Sequence, residues 1–282
     1  MTCYLCGSSD YKKREGSVRD NKELDILECN NCSLVFLSNK THIVENYYED
    51  SSISKELTID SWLNETENDD KRRYNFVKDK IINKDILDFG SGAGGFLLKA
   101  KDISKSVTAV EVDEKIINHY KKNNITLIKD IESVKESYYD VITAFHVVEH
   151  LEDPIYILEK LINKLKNQGK LIIEVPNSND ALLSIYKSKA FSHFTYWSPH
   201  LFLYNEKTLR LLMKGFNVQV DFIKYLQRYP LSNHLYWLSN KKAAGHQIWG
   251  QFIDNEKLNH EYESSLASIG ATDTLIMQIT KK

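Results

Sequence analysis

The 282-residue sequence lacks a long apolar run, lacks an apolar segment near its N-terminus, and carries almost no net charge. A membrane-spanning helix needs about 18 or more consecutive apolar residues, and a secretion signal needs an apolar core. The formal charge of -2 argues against a general nucleic-acid binder and against a protein of acidic membrane surfaces. These absences predict a cytoplasmic protein without a membrane span and without general nucleic-acid binding.

Cysteine is absent after residue 32, and the four cysteines form two Cys-x-x-Cys pairs, Cys3 with Cys6 and Cys29 with Cys32. Each pair can direct two thiolates at one ion, and two pairs complete a tetrahedral site. The separation between the pairs is slightly longer than in a usual zinc ribbon, but it is compatible with a hairpin. Four reduced structural cysteines or a redox pair are the alternatives, but zinc is favoured because no cysteine lies elsewhere in the sequence and a cytoplasmic chain rarely keeps disulfides. We predict a zinc ion with a structural role, because four thiolates leave no open position.

Four of the eleven glycines fall between positions 90 and 95. The mostly apolar residues before them end in Asp88 and predict a short buried strand, and residues 96–100 open a helix. Glycine permits positive φ and lets a ligand approach the main chain, and a helix N-terminus adds free N–H groups. A second apolar strand ends in Glu111, which can accept two hydrogen bonds from a ribose diol. This stretch predicts a nucleotide-binding βαβ unit.

The rest of the sequence continues this alternation of strands and helices. Strands are predicted at residues 106–112, 126–129, 139–144, 170–175, 217–224 and 274–279, and helices at residues 113–123, 154–166 and 205–214. Gly169 is predicted to cap the helix that precedes the strand at 170–175. Regular alternation indicates a parallel sheet with helices on both faces, the doubly wound α/β class.

Two segments interrupt this pattern. Residues 33–83 are polar and partly helical, which predicts a solvated helix leading into the main domain; alternatively, Tyr47 and Tyr48 close over a cofactor. Residues 229–270 form an insertion rich in Trp, Tyr, Asn and His. Long insertions on a rigid sheet are usually functional or disordered. The aromatic residues favour an ordered insertion that contributes to an acceptor pocket or to an oligomer contact.

The glycine turn reads Asp88-x-Gly90-x-Gly92-x-Gly94, with an acid before the first glycine. A dinucleotide site usually reads Gly-x-Gly-x-x-Gly under a pyrophosphate, where an acid is unfavourable, whereas an acid suits a cationic amino-acid group. The pattern resembles motif I of the class I S-adenosylmethionine-dependent methyltransferases, and residues 139–154 resemble the fourth-strand motif of that family. An NAD(P) enzyme is the alternative. The resemblance implies a seven-stranded, mostly parallel, Rossmann-like sheet and S-adenosylmethionine as cofactor.

The resemblance also implies roles for individual residues. Asp88 and the glycine turn would hold the methionine end of the cofactor, Glu111 the ribose, and Asp130 the adenine amino group. For Asp130 the alternative is an ordinary helix N-cap. The implied cofactor-binding residues are Asp88, Gly90, Ser91, Gly92, Gly94, Glu111, Val112, Asp130, Ile131 and Phe145.

Three histidines are candidates for the base that takes a proton from an acceptor hydroxyl: His150, His193 and His200. Histidine has an unperturbed pKa of about 6.5, which suits this task, although each could equally be a hydrogen-bonded structural residue. The run His146-x-x-Glu149-His150 also matches a zinc-peptidase pattern, which we reject because it follows a strand. Some methyltransferases with a similar arrangement hold a divalent ion, so a second ion near His146, Glu149 and His150, with His200, is a further hypothesis.

With its cysteine pairs, the chain is most similar to bacterial enzymes that methylate sugars or surface-polysaccharide precursors. The deoxysugar C-methyltransferases usually continue into a further domain, whereas this sequence ends at the predicted seventh strand, which favours O-methylation of such an acceptor by direct in-line transfer. The alternatives are C- or N-methylation of a nucleotide-linked sugar or other small molecule, and a non-catalytic zinc- and cofactor-binding protein. The predicted domains are a zinc-binding module (1–40), a helical linker or cofactor lid (41–83) and the methyltransferase domain (84–282).

Overall fold

The structure is a computed structural model that describes residues 1–44, residue 47 and residues 58–282. In chain order, its strands are β1 (Tyr11–Lys13), β2 (Ile26–Cys29), β3 (Val35–Leu37), β4 (Asp85–Phe89), β5 (Ser106–Val110), β6 (Thr126–Ile128), β7 (Tyr139–Phe145), β8 (Leu165–Pro176), β9 (Phe202–Leu203), β10 (Val218–Leu226) and β11 (Thr274–Lys281). The helices are α1 (Ile59–Ile81), α2 (Gly95–Ala100), α3 (Ile117–Lys122), α4 (Pro154–Lys164), α5 (Ala181–Ser184), α6 (Lys189–Ser192), α7 (Glu206–Leu212), α8 (Leu231–Asn240), α9 (Gly245–Ile248), α10 (Gly250–Ile253) and α11 (Glu256–Ser268).

The main sheet has seven strands among the described residues, in the order β10-β11-β8-β7-β4-β5-β6. The central strand β4 pairs in parallel with both β5 and β7, and β5 pairs in parallel with β6. Their central residues, such as Leu87, Ala109 and Ile142, are fully buried, as expected for parallel strands covered on both faces. The predicted α/β class and its mostly parallel, Rossmann-like sheet are therefore confirmed.

The chain divides into two compact units. The first, here called the glycine-turn unit, comprises the described residues of Ile43–Ile173, Gly215–Phe222 and Gln278–Lys282. The second, here called the cysteine unit, comprises Met1–His42, Glu174–Lys214 and Ile223–Met277. In the glycine-turn unit, α4 is amphipathic: Leu158, Leu161 and Ile162 recur at helical spacing and are buried.

Helix α1 covers most of the polar segment before the first strand of the main sheet. Thr58 caps it by accepting a hydrogen bond from the Ser61 N–H. The predicted solvated helix is only partly solvated, because Asp70 and Val77 are buried on a face of α1 that packs against α2. Tyr48, one of the two tyrosines that were alternatively predicted to close over a cofactor, lies outside the described residues.

The predicted cap at Gly169 is wrong. Helix α4 ends at Lys164, its C-cap Leu165 is already extended, and β8 begins there, five residues before the predicted start at 170. Gly169 therefore lies inside the strand, beside Gln168, which takes the positive φ of 63°. A Cβ at Gly169 would lie 2.8 Å from the main-chain oxygen of Lys166, so this glycine permits a close approach of the backbone.

The cysteine unit contains a second, four-stranded sheet in the order β1-β2-β3-β9. Its adjacent strands are antiparallel, and Val35 and Phe36 of β3 pair with Leu203 and Phe202 of β9. The N-terminal hairpin is thus completed by a two-residue strand from far along the sequence.

The insertion at residues 229–270 is helical and consists of α8 to α11. Tyr236 and Trp249 make an edge-to-face contact with ring centroids 5.0 Å apart. A Cβ at Gly245 would lie 2.3 Å from Cβ of Tyr236, so α8 and α9 approach closely at this glycine. The insertion thus consists of short helices joined by aromatic contacts, and its predicted role in an acceptor pocket or an oligomer contact stays a prediction. In the described part of the chain, no helix has the length and apolar character needed to cross a membrane.

Candidate functional site

The glycine-turn unit contains a cavity of about 480 Å³ at the carboxyl ends of its central strands. Gly90 follows β4, Glu111 follows β5 and His146 follows β7, and all three line the cavity. Ligands of open α/β sheets bind at this edge because the carboxyl ends of adjacent parallel strands meet there. Among the predicted site residues, those that line the cavity are Gly90, Gly92, Glu111, Val112 and His150.

The glycine turn depends on missing side chains. Gly90 and Gly92 adopt φ values of 70° and 52°, in the left-handed region that favours glycine. A Cβ at Gly90 would lie 2.4 Å from Cγ2 of Val147, and one at Gly92 would lie 2.8 Å from the Trp62 ring. The turn therefore exposes its main chain to the cavity, and Val147 and Trp62, which also line the cavity, pack closely against it.

Glu111 connects the end of β5 to the glycine turn. Its Oε2 accepts a hydrogen bond from the Gly92 N–H at 2.8 Å, and its Oε1 accepts bonds from the N–H groups of Val112 and Asp113 at 2.8 and 3.3 Å. A carboxylate offers about four acceptor positions, so acceptor capacity remains for a ligand hydroxyl. The structure thus brings together the glycines and the acid that the sequence analysis paired.

Asp88 lies behind the turn rather than in the cavity wall. It is 4% exposed, and its Oδ1 accepts a hydrogen bond of 2.6 Å from the Thr143 hydroxyl. Burial raises the pKa of Asp88 to about 7, against the lowering effects of that hydrogen bond and of Arg73. A cation near this carboxyl would favour its ionised form.

Asp130 is the N-cap of the short 3₁₀ turn Ile131–Ser133, as the alternative interpretation expected. Its carboxylate accepts hydrogen bonds from the Ser133 N–H at 2.9 Å and the Ser133 hydroxyl at 2.7 Å, and these bonds lower its pKa. The predicted adenine contact of Asp130 stays a prediction. The other predicted cofactor-binding residues that are not among the residues lining the cavity are Asp88, Ser91, Gly94, Ile131 and Phe145.

Ser91 and Phe145 support the turn from behind. The Tyr120 hydroxyl donates to Ser91 Oγ at 2.8 Å, which ties α3 to the glycine turn. Phe145 packs edge-to-face on Phe96 of α2, with ring centroids 5.3 Å apart. The two contacts connect the glycine turn with α3 and the end of β7 with α2.

The three predicted base histidines lie in different units. His150 lines the cavity of the glycine-turn unit. His193 and His200 belong to the cysteine unit. There, His193 is exposed and its Nδ1 lies 2.8 Å from the Ser17 hydroxyl, and the His200 ring packs edge-to-face on Trp197.

The motif from His146 to His150 forms a turn after β7, not the helix of a zinc peptidase. Residues Val148–His150 make one 3₁₀ turn, and His146 Nδ1 lies 2.9 Å from Glu149 Oε1. The peptidase interpretation is excluded on this backbone. A second divalent ion beside these residues stays a prediction.

Sequence reasoning missed several cavity residues, notably Trp62 and Tyr156. Trp62 comes from α1, and the only signal was one tryptophan near the start of a mostly polar helix. Tyr156 is in the first turn of α4, where its N–H donates to Asp153 at 3.1 Å. The Asp153-Pro154 pair signals a helix start, which would have placed that helix N-terminus at the strand edge.

The four cysteines come together in the cysteine unit as free thiols. Cys3 and Cys32 Sγ lie 3.5 Å apart, as do Cys6 and Cys29 Sγ, and all four sulfurs lie within 4.8 Å of one another. Tetrahedral zinc with bonds of about 2.3 Å requires sulfur separations of about 3.8 Å. The donor set and spacing therefore fit a four-thiolate zinc site. Burial raises the pKa of the Cys3 and Cys32 thiols, so their ionised forms need a cation.

Comparisons with known proteins agree with this geometry. The chain is 25% identical over 198 residues to the ubiquinone biosynthesis O-methyltransferase of Hydrogenovibrio crunogenus, covering 61% of this chain and 82% of that protein. It is also 25% identical over 171 residues to the protein of that name from Nitrosomonas europaea, covering 54% of this chain but only 64% of the relative. A structure of Haemonchus contortus phosphoethanolamine N-methyltransferase 2 with S-adenosyl-L-methionine shares the fold, with a TM-score of 0.53, 14% identity, and 85% and 60% coverage.

The sheet order, the glycine turn after β4 and the acid after β5 define the class I S-adenosylmethionine-dependent methyltransferase fold. A family model described as a methyltransferase domain matches residues 61–221, more than half of the chain. The chain belongs to this methyltransferase domain family and is an S-adenosylmethionine-dependent methyltransferase. This excludes the non-catalytic alternative.

Proposed function

We propose that this enzyme transfers the methyl group of S-adenosylmethionine to a hydroxyl oxygen of a small acceptor, namely a sugar or a surface-polysaccharide precursor. The observation that carries the proposal is the bond between Glu111 and the glycine turn beside the cavity. Oxygen as the acceptor atom is supported by the names of the curated relatives, which are O-methyltransferases. The carbohydrate class rests on the combination of the cysteine pairs with the methyltransferase motifs.

Residues in and around the cavity are suited to bind each end of the cofactor. When bound, the cofactor supplies an activated methyl group on its sulfonium. Glu111 accepts hydrogen bonds from the ribose hydroxyls, using the acceptor capacity that its main-chain bonds leave. Gly90, Gly92 and the neighbouring main chain contact the methionine end, and Asp88 favours its ammonium group from behind the turn. Asp130 and Ile131 are proposed for the adenine side, and Val112 and Phe145 stay predicted cofactor contacts.

The four-thiolate site is proposed to hold zinc in a structural role within the module predicted at residues 1–40. The hydrogen bonds around it suit that role. The Gly7 N–H donates to the Cys3 carbonyl at 2.9 Å, and the Ser33 N–H donates to the Cys29 carbonyl at 2.9 Å, so each Cys-x-x-Cys pair is closed by its own turn. The ion would fix the start of β1 and the end of β2.

Methyl transfer to oxygen also requires that the hydroxyl proton be removed as charge shifts. Positioning supplies much of the rate in such a transfer, and a base within hydrogen-bond reach contributes typically about 10²–10⁴-fold. Of the three predicted bases, His150 is the one that lines the cavity. His193 and His200 stay predictions.

Mass spectrometry with methyl-deuterated S-adenosylmethionine tests the proposal. The enzyme is incubated with pooled sugar nucleotides, polysaccharide precursors and phenols, and fragmentation locates the label. We expect label on a hydroxyl oxygen of a sugar, and we expect none with Glu111→Ala at the same protein concentration. Label on nitrogen or carbon would replace the O-methylation proposal, and label on a phenol would replace the carbohydrate class.

A further inference from the structure

We propose that His146 is the catalytic residue that accepts the proton of the acceptor hydroxyl, and that Glu149 positions its ring. This inference rests on the proposed O-methylation. It assigns the base to a histidine at the end of β7 that none of the base predictions included.

His146 is in the right place for this task. It follows β7 directly, and it lines the same cavity as Gly90 and Glu111, which follow β4 and β5, the next two strands of the sheet. Its side chain is 20% exposed, so the imidazole belongs to the cavity wall and is still largely shielded from bulk water.

Glu149 determines which nitrogen of His146 can act as the base. The Glu149 side chain is 0% exposed, and its Oε1 lies 2.9 Å from His146 Nδ1. A carboxylate buried to this extent requires a hydrogen-bonded or charged partner. The arrangement favours the tautomer in which Nδ1–H donates to Glu149 and Nε2 carries the lone pair. A carboxylate that holds a histidine in this way also stabilises the imidazolium that forms.

The backbone at His146 adopts a conformation that is uncommon for residues other than glycine, although histidine tolerates it better than most. Its φ is 55°, in the left-handed region, which costs a residue with a Cβ about 1–2 kcal/mol. The neighbouring residues impose this conformation: Val147 packs against Gly90, and the His150 N–H donates to the Val147 carbonyl at 2.9 Å. Such strain clusters at functional sites, and here it turns the ring towards Glu149 within a non-helical turn.

The proposed step balances without any further reactant. A bond forms between the acceptor oxygen and the methyl carbon, and the carbon–sulfur bond breaks with its electron pair going to sulfur. The hydroxyl proton goes to Nε2 of His146 and later leaves to water. The products are the methyl ether and S-adenosylhomocysteine, which is neutral at sulfur.

A metal test separates this proposal from the divalent-ion hypothesis, since both involve His146 and Glu149, which contact each other at 2.9 Å. A base held by a carboxylate predicts transfer that does not respond to added Mg²⁺ or Mn²⁺ in metal-depleted buffer, whereas a bound divalent ion predicts activation.

The kinetic test uses His146→Gly, because glycine accepts the positive φ and leaves room for imidazole. The control is His119→Gln, a histidine of the same unit that does not line the cavity. We expect kcat to fall about 10²–10⁴-fold in His146→Gly, with S-adenosylhomocysteine affinity unchanged and activity partly restored by free imidazole. His119→Gln should behave as the wild type. A kcat within threefold of wild type, no imidazole rescue in a folded variant, or activation by added metal would overturn the proposal.

A measurement that needs no acceptor separates this inference from the proposed function. Nitrogen-15 NMR of the histidine rings, with S-adenosylhomocysteine bound, reports the tautomer of His146. We expect the Nδ1–H form in the wild type and its loss in Glu149→Gln, whether or not the acceptor has been found. An Nε2–H tautomer in the wild type would refute the base assignment. Absence of methyl transfer despite the expected tautomer would instead count against the proposed function.

Discussion

Replacement of Asp88 by asparagine tests the electrostatics behind the glycine turn. Burial raises the pKa of Asp88 to about 7, from the ordinary value of 3.8 for an aspartate. One pKa unit corresponds to about 1.4 kcal/mol, so the ionised carboxylate costs the folded state up to about 4 kcal/mol. Because this is an acid with a raised pKa, its unfavourable contribution is absent below pH 4, grows between pH 4 and 7, and is complete above pH 7.

Asp88→Asn keeps the shape of the side chain and an oxygen that can accept the bond from Thr143, but it has no charge to desolvate. Urea unfolding at pH 5 and pH 8 should therefore show the variant gaining about 2–3 kcal/mol of stability relative to wild type between the two pH values, because part of the cost is already present at pH 5. The difference between variant and wild type is the relevant quantity, because burial also raises the pKa values of Asp70, Asp180 and Asp273.

The same change should affect cofactor binding in the opposite direction. An ammonium group near Asp88 favours the ionised carboxyl, so binding of S-adenosylhomocysteine at pH 6 should release a proton in the wild type. Calorimetry in two buffers of different ionisation enthalpy detects that proton, and we expect it to be missing, with weaker binding, in Asp88→Asn. An identical pH dependence of stability and identical proton release in both proteins would refute this reasoning.

Three further predictions follow from the structure. Gly90→Ala should weaken S-adenosylhomocysteine binding more than tenfold and destabilise the fold by about 1–3 kcal/mol through the clash with Val147, in addition to the strain of its positive φ. Gly7→Ala, with a φ of 69° and nothing within 4 Å of its Cβ, should show only that backbone strain, about 1 kcal/mol, and leave binding intact. Equal effects on stability would contradict the clash. Asp130→Ala should lower cofactor affinity about tenfold if the carboxylate contacts adenine, because one charged hydrogen bond is lost. Asp130→Ser retains a helix cap but has no carboxylate. Wild-type cofactor affinity in Asp130→Ser would therefore mean that Asp130 acts only as a helix cap. Freshly purified protein should contain one zinc ion per chain by elemental analysis, and Cys32→Ser should lose it and melt at a lower temperature; zinc-free wild-type protein would rule out the assignment.

The local parts of the site were predictable from the sequence because short-range chemistry determines them. The glycine turn needs positive φ within a few residues of a strand end, and Glu111 ends the next parallel strand. Adjacent parallel strands end at the same edge, so pairing Glu111 with Gly92 required only the strand order.

The contacts between distant segments could not be read in the same way. Trp62 reaches the glycine turn from a helix that looks mostly polar, and the two-residue strand β9 is too short to show any periodicity. The contact between His146 and Glu149 depends on a positive φ at His146, which nothing in its residue type signals. The cap prediction for Gly169 was wrong because a glycine after a helical pattern usually marks a helix C-cap. In the structure, Gly169 instead allows the main chain of Lys166 to approach closely.

Calorimetric titration of S-adenosylhomocysteine into wild-type protein and Glu111→Ala tests the central claim most directly. The claim predicts binding to the wild type and a loss of about 100-fold in the variant, which corresponds to about 3 kcal/mol for hydrogen bonds from the ribose and the glycine turn. Equal affinity in the two proteins, or tight binding of NAD by a wild type that ignores S-adenosylhomocysteine, would contradict it.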